Sequence, residues 1–157
     1  MDGALGLGNG RNGIQITGDD NSIGDDLGGS MNTIAYNGED GGAIEGTAAR
    51  NSVVQSLIFV NGTSTDDIGI DLAADGVTDN DGDDVDTGPN DPLNHPLITA
   101  VDATAGTVDW TLDGLELTSY RLASPFCDGS GNGDGQRYLG AINVMTNEKG
   151  RRRRQHT

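Results

Sequence analysis

The sequence predicts an all-β protein in which a short parallel β-helix (solenoid) is followed by an acidic linker and a partial antiparallel β-sandwich. Its 157 residues include 26 glycines, and 21 of the 25 acidic residues are aspartate. Glycine, aspartate and asparagine favour turns and disfavour helix interiors. Apolar residues make up only 33% of the chain and aromatic residues 4%, which argues against a large helical core. The predicted parts are coils over 1–72, a linker over 73–96, a sandwich over 97–148 and a basic tail over 149–157.

Internal repetition in residues 8–72 predicts the parallel part of the fold. Short segments with the same alternation of apolar and polar residues recur, closed by glycine and asparagine, and units of about 20 to 30 residues are typical of solenoids. A further short strand is predicted at Ile68–Leu72. The aligned pairs are Gly13–Gly18 with Gly41–Gly46, Asn21–Ile23 with Asn51–Val53, and Asn32–Gly38 with Ser56–Gly62.

The repeated positions also predict which side chains face inward. Ile16 aligns with Ile44 and Ile34 with Ile58, and Ile14 has the same parity as Ile16, so we expect these five residues to face inward and to stack on their equivalents in the next coil. The asparagines at the corners are expected to form ladders through side-chain amide hydrogen bonds. One coil cannot bury its apolar face alone, so the isoleucines are interpreted as core rather than as a binding surface.

The linker contains the strongest candidate for a site. Residues 79–86 place five carboxylates and one amide around Gly82, and oxygen ligands of this kind suit Ca²⁺. The pattern is not that of an EF-hand, because the glycine is at the fourth position rather than the sixth and Asn90 replaces the glutamate at the twelfth. The alternative is a solvated acidic turn. The predicted calcium ligands are Asp79, Asp81, Asp83 and Asp86.

Four segments after the linker alternate at period two, which predicts an antiparallel sheet or sandwich. The glycine-rich residues 128–135 between the last two are interpreted as a loop rather than a second oxygen site. The predicted strands are Leu97–Val101, Thr107–Leu112, Ser119–Leu122 and Tyr138–Val144.

Charge limits the partners of this chain. Its net charge is −16 even though Arg151–Arg154 and Lys149 supply five of the nine basic residues. The acidic body is therefore expected to repel nucleic acid and anionic membrane surfaces. No apolar run approaches the length of a membrane span, and the first residues lack the pattern of a signal peptide. The basic tail is expected to be solvated and to pair with the acidic body rather than to form a strand, with nucleic-acid binding as the alternative.

Several segments, in their order, resemble the C-terminal part of bacterial right-handed parallel β-helix proteins, a group of repeat proteins often associated with CSLREA domains. The resemblance implies a right-handed helix, an immunoglobulin-like sandwich after the acidic linker, and an extracellular or cell-surface location. It also implies an adhesive role towards a surface carbohydrate or a protein ligand. The segments are Ile68–Leu72, Asp75–Asp81, Asp86–Asn90, Asn94–Thr99, Ser124–Asp128, Gly133–Gln136 and Tyr138–Gly140.

The expected function is that of a non-catalytic structural or adhesive module, stabilised by calcium. The first alternative is a fragment of a polysaccharide lyase or hydrolase, which needs paired carboxylates with nearby histidine or basic groups. Before His95, only Arg11 and Arg50 are basic. The second alternative is a truncated fragment without independent function. The turn aspartates that could serve the enzymatic alternative are Asp19, Asp20, Asp25, Asp26, Asp66 and Asp67.

Overall fold

The described residues of the computed structural model form β-strands and turns without a helix. Those residues are 6–24, 31–82, 87–127, 135–148 and 151–156. The all-β prediction is therefore confirmed for this part of the chain. The strands are β1 (Ile14–Ile16), β2 (Ser22–Ile23), β3 (Thr33–Ala35), β4 (Gly42–Ile44), β5 (Ser52–Val53), β6 (Leu57–Phe59), β7 (Ile70–Leu72), β8 (Leu97–Asp102), β9 (Thr107–Asp113), β10 (Ser119–Cys127), β11 (Gly135–Met145) and β12 (Arg151–His156).

Two compact units divide the chain. Unit 1 comprises residues 1–78, 88–91 and 123–140, and unit 2 comprises 79–87, 92–122 and 141–157. The segment predicted as a linker thus contributes residues to both units.

Unit 1 is built from parallel strand pairs. β1, β4 and β7 form one sheet in which Ile14 pairs with Gly42 and Gly42 pairs with Ile70. β2 pairs with β5, and β3 pairs with β6, again in parallel. The β1–β4, β2–β5 and β3–β6 registers join residues that the sequence alignment pairs, so these three pairings are confirmed; the β4–β7 pairing was not part of that alignment. We call β1 to β3 the first pass of the chain, β4 to β6 the second pass, and β7 the start of the third.

The core of unit 1 contains the isoleucines that the alignment places inward. Ile16, Ile44 and Ala48 form a buried cluster, and Ile14, Ile23 and Leu72 pack against it half-buried. Ile34 and Ile58, which face each other in the β3–β6 register, are also buried. Successive side chains of a strand point to opposite faces. The parallel register therefore brings the inward residue of one pass directly onto the inward residue of the next.

Unit 2 contains an antiparallel sheet with β9 in the centre. β9 pairs with β8 on one side and with β12 on the other. Trp110 and Leu112 of β9 are buried with Val144, and Ile142 packs against them. β8 is exposed at all six residues, and its pairing shifts register between Ile98 and Ala100. Of these two strands, β9 therefore contributes buried side chains and β8 does not.

The expectation of an irregular basic tail was wrong. Arg151–His156 forms β12, in which Arg151 pairs with Asp113 and Gln155 pairs with Asp109. Strand pairing uses backbone N–H and C=O groups, which every residue except proline carries. A run of arginines can therefore complete a sheet edge even though it lacks the apolar alternation by which strands are recognised in a sequence.

β10 is longer than predicted and runs through Pro125 to Cys127. It lies at the edge of a sheet whose order is β10, β11, β6 and β3. Proline is tolerated in edge strands, where its missing N–H is not needed for pairing. In unit 1, β11 pairs with β6 in the antiparallel sense at Gly135 and Ile58.

Candidate functional site

An asparagine ladder connects the three passes of unit 1 at residues 9, 37 and 61. The Oδ1 of Asn37 accepts from the backbone N–H of Asn9 at 2.9 Å. The Oδ1 of Asn61 accepts from the backbone N–H of Asn37 at 3.2 Å and from its Nδ2 at 2.8 Å. The Nδ2 of Asn61 then donates to the carbonyl of Ile34 at 2.9 Å. In this ladder, each side-chain oxygen accepts from the N–H of the preceding pass.

A second ladder has the same polarity and ends on a residue from the acidic segment. The Oδ1 of Asn51 accepts from the backbone N–H of Asn21 at 2.9 Å, and the Oδ1 of Asn90 accepts from the N–H of Asn51 at 2.6 Å. The Nδ2 of Asn90 donates to the Asn51 carbonyl at 3.0 Å. Asn21 and Asn51 are 30 residues apart, whereas Asn51 and Asn90 are 39 apart. The second step of this ladder therefore spans nine more residues than the first, 39 against 30.

A third ladder, at residues 12, 40 and 68, has the opposite polarity. The Oδ1 of Asn12 accepts from the N–H of Asp40 at 3.1 Å, and the Oδ1 of Asp40 accepts from the N–H of Ile68 at 2.8 Å. The two steps are each 28 residues long. Asn12 and Asp40 thus accept equivalent hydrogen bonds from the following pass, and of the two only Asp40 carries a charge.

Two buried carboxylates lie in this part of unit 1. Asp40 is 5% exposed and Asp71 is 1% exposed. The Asp71 side chain accepts from the N–H of Gly76 at 2.8 Å and from that of Asp75 at 3.3 Å. Burial raises the pKa of both carboxyls, and the charge of Asp71 raises the pKa of Asp40 further. Both carboxylates bond backbone amides, so the geometry explains them as parts of the scaffold.

Replacing Asp40 by asparagine is expected to stabilise unit 1 at neutral pH. Asparagine keeps an oxygen for the N–H of Ile68 and removes a buried charge, a change of the kind that commonly gives about 0.5–2 kcal/mol. Because the pKa of Asp40 is raised above its ordinary 3.8, the folded parent binds more protons than the unfolded chain between these two values. Its stability therefore falls as pH rises through that window.

Urea unfolding of the parent and of Asp40→Asn across pH 3 to 8 measures this difference. The advantage of the variant should grow as pH rises and disappear near the ordinary pKa of aspartate. Asp66→Asn, at an exposed turn residue of the same unit, is the matched control and should stay within about 0.5 kcal/mol of the parent. A variant advantage that is absent, or independent of pH, contradicts the prediction.

Within unit 2, residues 80 and 81 are joined to residues 95 and 94 by two reciprocal amide contacts. The Nδ2 of Asn80 donates to the carbonyl of His95, and its Oδ1 accepts from the His95 N–H, both at 2.8 Å. The Oδ1 of Asn94 accepts from the N–H of Asp81 at 2.9 Å, and its Nδ2 donates to the Asp81 carbonyl at 3.0 Å. Each of these two side-chain amides both donates to and accepts from the backbone of one residue, as a paired strand would. Together they hold the backbone in place at residues 80–81.

Two of the predicted calcium ligands belong to the described part of the chain. Asp79 is exposed and Asp81 is half-buried, whereas Asp83 and Asp86 lie outside the described residues. Within the described ranges, no group of three or more histidine, cysteine, aspartate or glutamate side chains is placed to hold a metal ion. The amide contacts hold the backbone that carries Asp81, and its carboxylate is an oxygen ligand of the type that Ca²⁺ takes. Calcium binding therefore stays a prediction.

The turn aspartates serve local structure where they are described. Asp19 and Asp20 contact the Arg50 guanidinium, with shortest N–O distances of 3.3 and 2.7 Å. Hydrogen bonding from Arg50 lowers the pKa of Asp20, but exposed pairs of this kind contribute little to stability. Asp67 accepts from the N–H groups of Thr63 and Ser64 at 2.7 Å each. Asp66 is exposed, and Asp25 and Asp26 lie outside the described residues.

Sequence reasoning missed several polar residues that organise these contacts. The equivalence of Asn12 and Asp40 was available from the 28-residue alignment, because both directly precede an aligned segment that begins with glycine. Asn90 could not be found in this way, since the separation of 39 residues departs from the repeat. Asn80 bonds His95, and Asn94 bonds Asp81. No sequence pattern predicts these hydrogen bonds, apart from the prolines in the same segment.

No protein-family model matches this chain, and no curated protein is significantly similar to it. The described residues also include no helix with the length and apolarity needed to cross a membrane.

Proposed function

We propose that this chain is a non-catalytic structural or adhesive module of an exported β-helix repeat protein. In this proposal, unit 1 is a short right-handed parallel β-helix, and the strands of unit 2 belong to a partial immunoglobulin-like sandwich. Right-handed crossovers are the rule for parallel strands. The resemblance to CSLREA-type surface proteins is part of the same proposal, as are an extracellular location and a carbohydrate or protein ligand.

The observation that carries the proposal is the agreement between the parallel registers and the asparagine ladders. Strand pairs and ladder steps share separations of 28 residues at β1 and β4, 24 at β3 and β6, and 30 at β2 and β5. A structure in which each pass contacts only its neighbours is the defining feature of a solenoid. The buried polar side chains Asn37, Asp40, Asn51 and Asp71 all bond backbone groups. This use favours a scaffold over a catalytic site.

The proposed module is stabilised by Ca²⁺ at Asp79, Asp81, Asp83 and Asp86. We expect a dissociation constant on the order of 10⁻⁴ to 10⁻³ M, as in extracellular modules. At about ten times that constant, the ion adds about 1.4 kcal/mol to the free energy of unfolding. Mg²⁺ should replace Ca²⁺ poorly, because it requires a smaller octahedral site and retains its waters.

Thermal unfolding with and without Ca²⁺ measures this stabilisation. The double variant Asp81→Asn, Asp83→Asn should lose the calcium-dependent increase in melting temperature and keep the melting temperature of the calcium-free parent. A concentration of about 5 mM Ca²⁺ exceeds the expected dissociation constant. If the parent melts at the same temperature at this concentration and in chelator, residues 79–86 do not bind calcium and are only an acidic turn.

Assays with pectin, alginate and similar acidic polysaccharides test the absence of catalysis. We expect neither hydrolysis nor lyase activity, because acid–base catalysis needs two groups whose surroundings separate their pKa values around a substrate. Turnover that disappears in Asp19→Ala or Asp20→Ala, and persists in the matched surface variant Asp102→Ala, would overturn the proposal. Asp102 is an exposed residue of unit 2, so its replacement controls for the loss of one surface charge.

A further inference from the structure

The bond between Asp91 and Pro92 is the one aspartyl–prolyl bond in the sequence, and its backbone is strained. Asp91 has a φ of 46°, whereas the residue before a proline is normally restricted to extended conformations with a φ of about −120°. Aspartate tolerates a positive φ better than most residues, but here the ring of the following proline crowds its backbone. The strain therefore lies at the bond that joins Asp91 to Pro92.

A turn that is fixed on Asn51 holds this conformation. The N–H of Asp91 donates to the carbonyl of Gly88 at 3.3 Å, and Asn90 within the turn has a φ of 61°. The side chain of Asn90 bonds the backbone of Asn51 at 2.6 and 3.0 Å, and its N–H donates to the carbonyl of Ala48 at 2.6 Å. A strained residue persists where its surroundings fix it in this way.

The carboxylate of Asp91 is available to react. The residue is exposed, and within the described part of the chain its carboxylate has no hydrogen bond or ion pair. Asp67, by contrast, accepts from two backbone N–H groups. Pro92 has no N–H, so its nitrogen cannot attack the aspartyl side chain to form a cyclic imide. The carbonyl carbon of Asp91 itself remains as a target, since attack there by the carboxylate closes a five-membered ring.

We propose that the Asp91–Pro92 bond is a self-cleavage site, at which the Asp91 carboxylate breaks the bond in mildly acid solution. An Oδ atom of Asp91 bonds to the carbonyl carbon of the same residue, and the bond from this carbon to the Pro92 nitrogen breaks. The nitrogen keeps the electron pair of that bond, takes a proton from solvent and leaves as a secondary amine. The cyclic anhydride then adds one water and opens to two carboxyl groups. The net change is hydrolysis of one peptide bond by one water.

Three features of this bond favour the reaction. The nucleophile belongs to the same residue as its target, so no encounter is needed. The leaving nitrogen belongs to a tertiary amide and is more basic than that of other peptide bonds. Cleavage also frees Asp91 from the proline ring, so strain is released as the bond breaks. The inference goes beyond the proposed function, because self-cleavage occurs once in each chain and is not turnover of a substrate.

Intact-mass measurement of the full chain over time tests the inference. The buffer has a pH of about 5, which supplies protons and leaves an ordinary aspartate ionised, and circular dichroism establishes that the chain is folded. We expect two products, residues 1–91 and 92–157. The folded chain should form them about tenfold faster than the same chain unfolded in urea, a difference equivalent to about 1.4 kcal/mol. Absence of these products from the folded chain would overturn the proposal.

Asp91→Glu is the matched chemical control, because it keeps the charge but would have to close a six-membered ring. It should form the products about tenfold more slowly or less, and cleavage at the parent rate would overturn attack by the carboxylate. Equal rates in the folded and the urea-unfolded parent would overturn the role of the fold.

Asn90→Ala tests the turn that holds the strain. It removes the side-chain bonds to Asn51, and in a variant that keeps the circular dichroism of the parent, the rate should fall towards that of the unfolded chain. An unchanged rate in such a variant would overturn the strained turn as the cause. If the variant does not fold, the comparison of the folded and unfolded parent decides the question.

Discussion

Replacing Ile44 by alanine is expected to destabilise unit 1 by about 2–5 kcal/mol, the cost of truncating a buried isoleucine. Ile44 is 2% exposed and lies in the cluster with Ile16 and Ala48. It belongs to β4, which pairs with a strand on each side, so neighbouring passes restrict collapse of the cavity. Domains of this size are stable by only about 5–15 kcal/mol. The urea concentration at the midpoint of unfolding should therefore be much lower for unit 1 of the variant than for the parent.

Ile70→Ala is the matched control for this prediction. Ile70 is in the same sheet, in register with Gly42, but 39% of its surface is exposed. The same truncation there removes less buried surface, and we expect a loss of less than about 1 kcal/mol. Equal losses in the two variants would mean that Ile44 is not part of a packed core.

Replacing Asn61 by alanine is expected to cost unit 1 about 2 kcal/mol or more. The substitution removes the acceptor for the backbone and side-chain N–H groups of Asn37 and the donor to the Ile34 carbonyl. Asn37 is only 7% exposed, and an unsatisfied buried polar group costs about 1–3 kcal/mol. Thermal unfolding should show a decrease of about 8 °C or more, since 1 kcal/mol corresponds to about 4–8 °C in a small domain.

Asn32→Ala tests whether this loss belongs to the ladder. Asn32 is exposed, and among the described residues its backbone carbonyl accepts from the N–H of Leu57 at 2.8 Å while its side chain has no hydrogen bond. Its replacement should change the free energy of unfolding by less than about 0.5 kcal/mol. Faster exchange of the Asn37 amide in Asn61→Ala, without a change in Asn32→Ala, would locate the effect. Indistinguishable variants would show that the amide contacts add nothing to stability.

The repeat offsets predicted three of the parallel strand pairings of unit 1, because residues that recur at a fixed offset are paired in neighbouring strands. When two segments share the alternation that buries Ile16 and Ile44, stacking them in register is the arrangement that covers both side chains. The asparagine corners extend the same argument to polar groups, and Asn37 and Asn61 illustrate it. The predicted strands of unit 2 were found from alternation alone, although alternation did not reveal that β8 would be exposed on every residue.

The candidate calcium segment was only partly accessible to this reasoning. Its composition identified the carboxylates, but the residues that hold it, Asn80 and Asn94, act through bonds to backbone groups 15 and 13 residues away. A side-chain amide can bond any backbone amide that comes within reach, so composition does not reveal its partner.

By itself, the sequence determined the all-β class, the three parallel registers and the inward positions of unit 1, because periodicity and repetition relate side chains that must be buried together. Only the tertiary structure decided that Asn90 completes a ladder and that Arg151–His156 completes a sheet. Both contacts join residues distant in the chain and bond to backbone groups, those of Asn51 in the ladder and those of β9 in the sheet. Since those groups are nearly the same in every residue, their pairing is decided by where the folded chain places them.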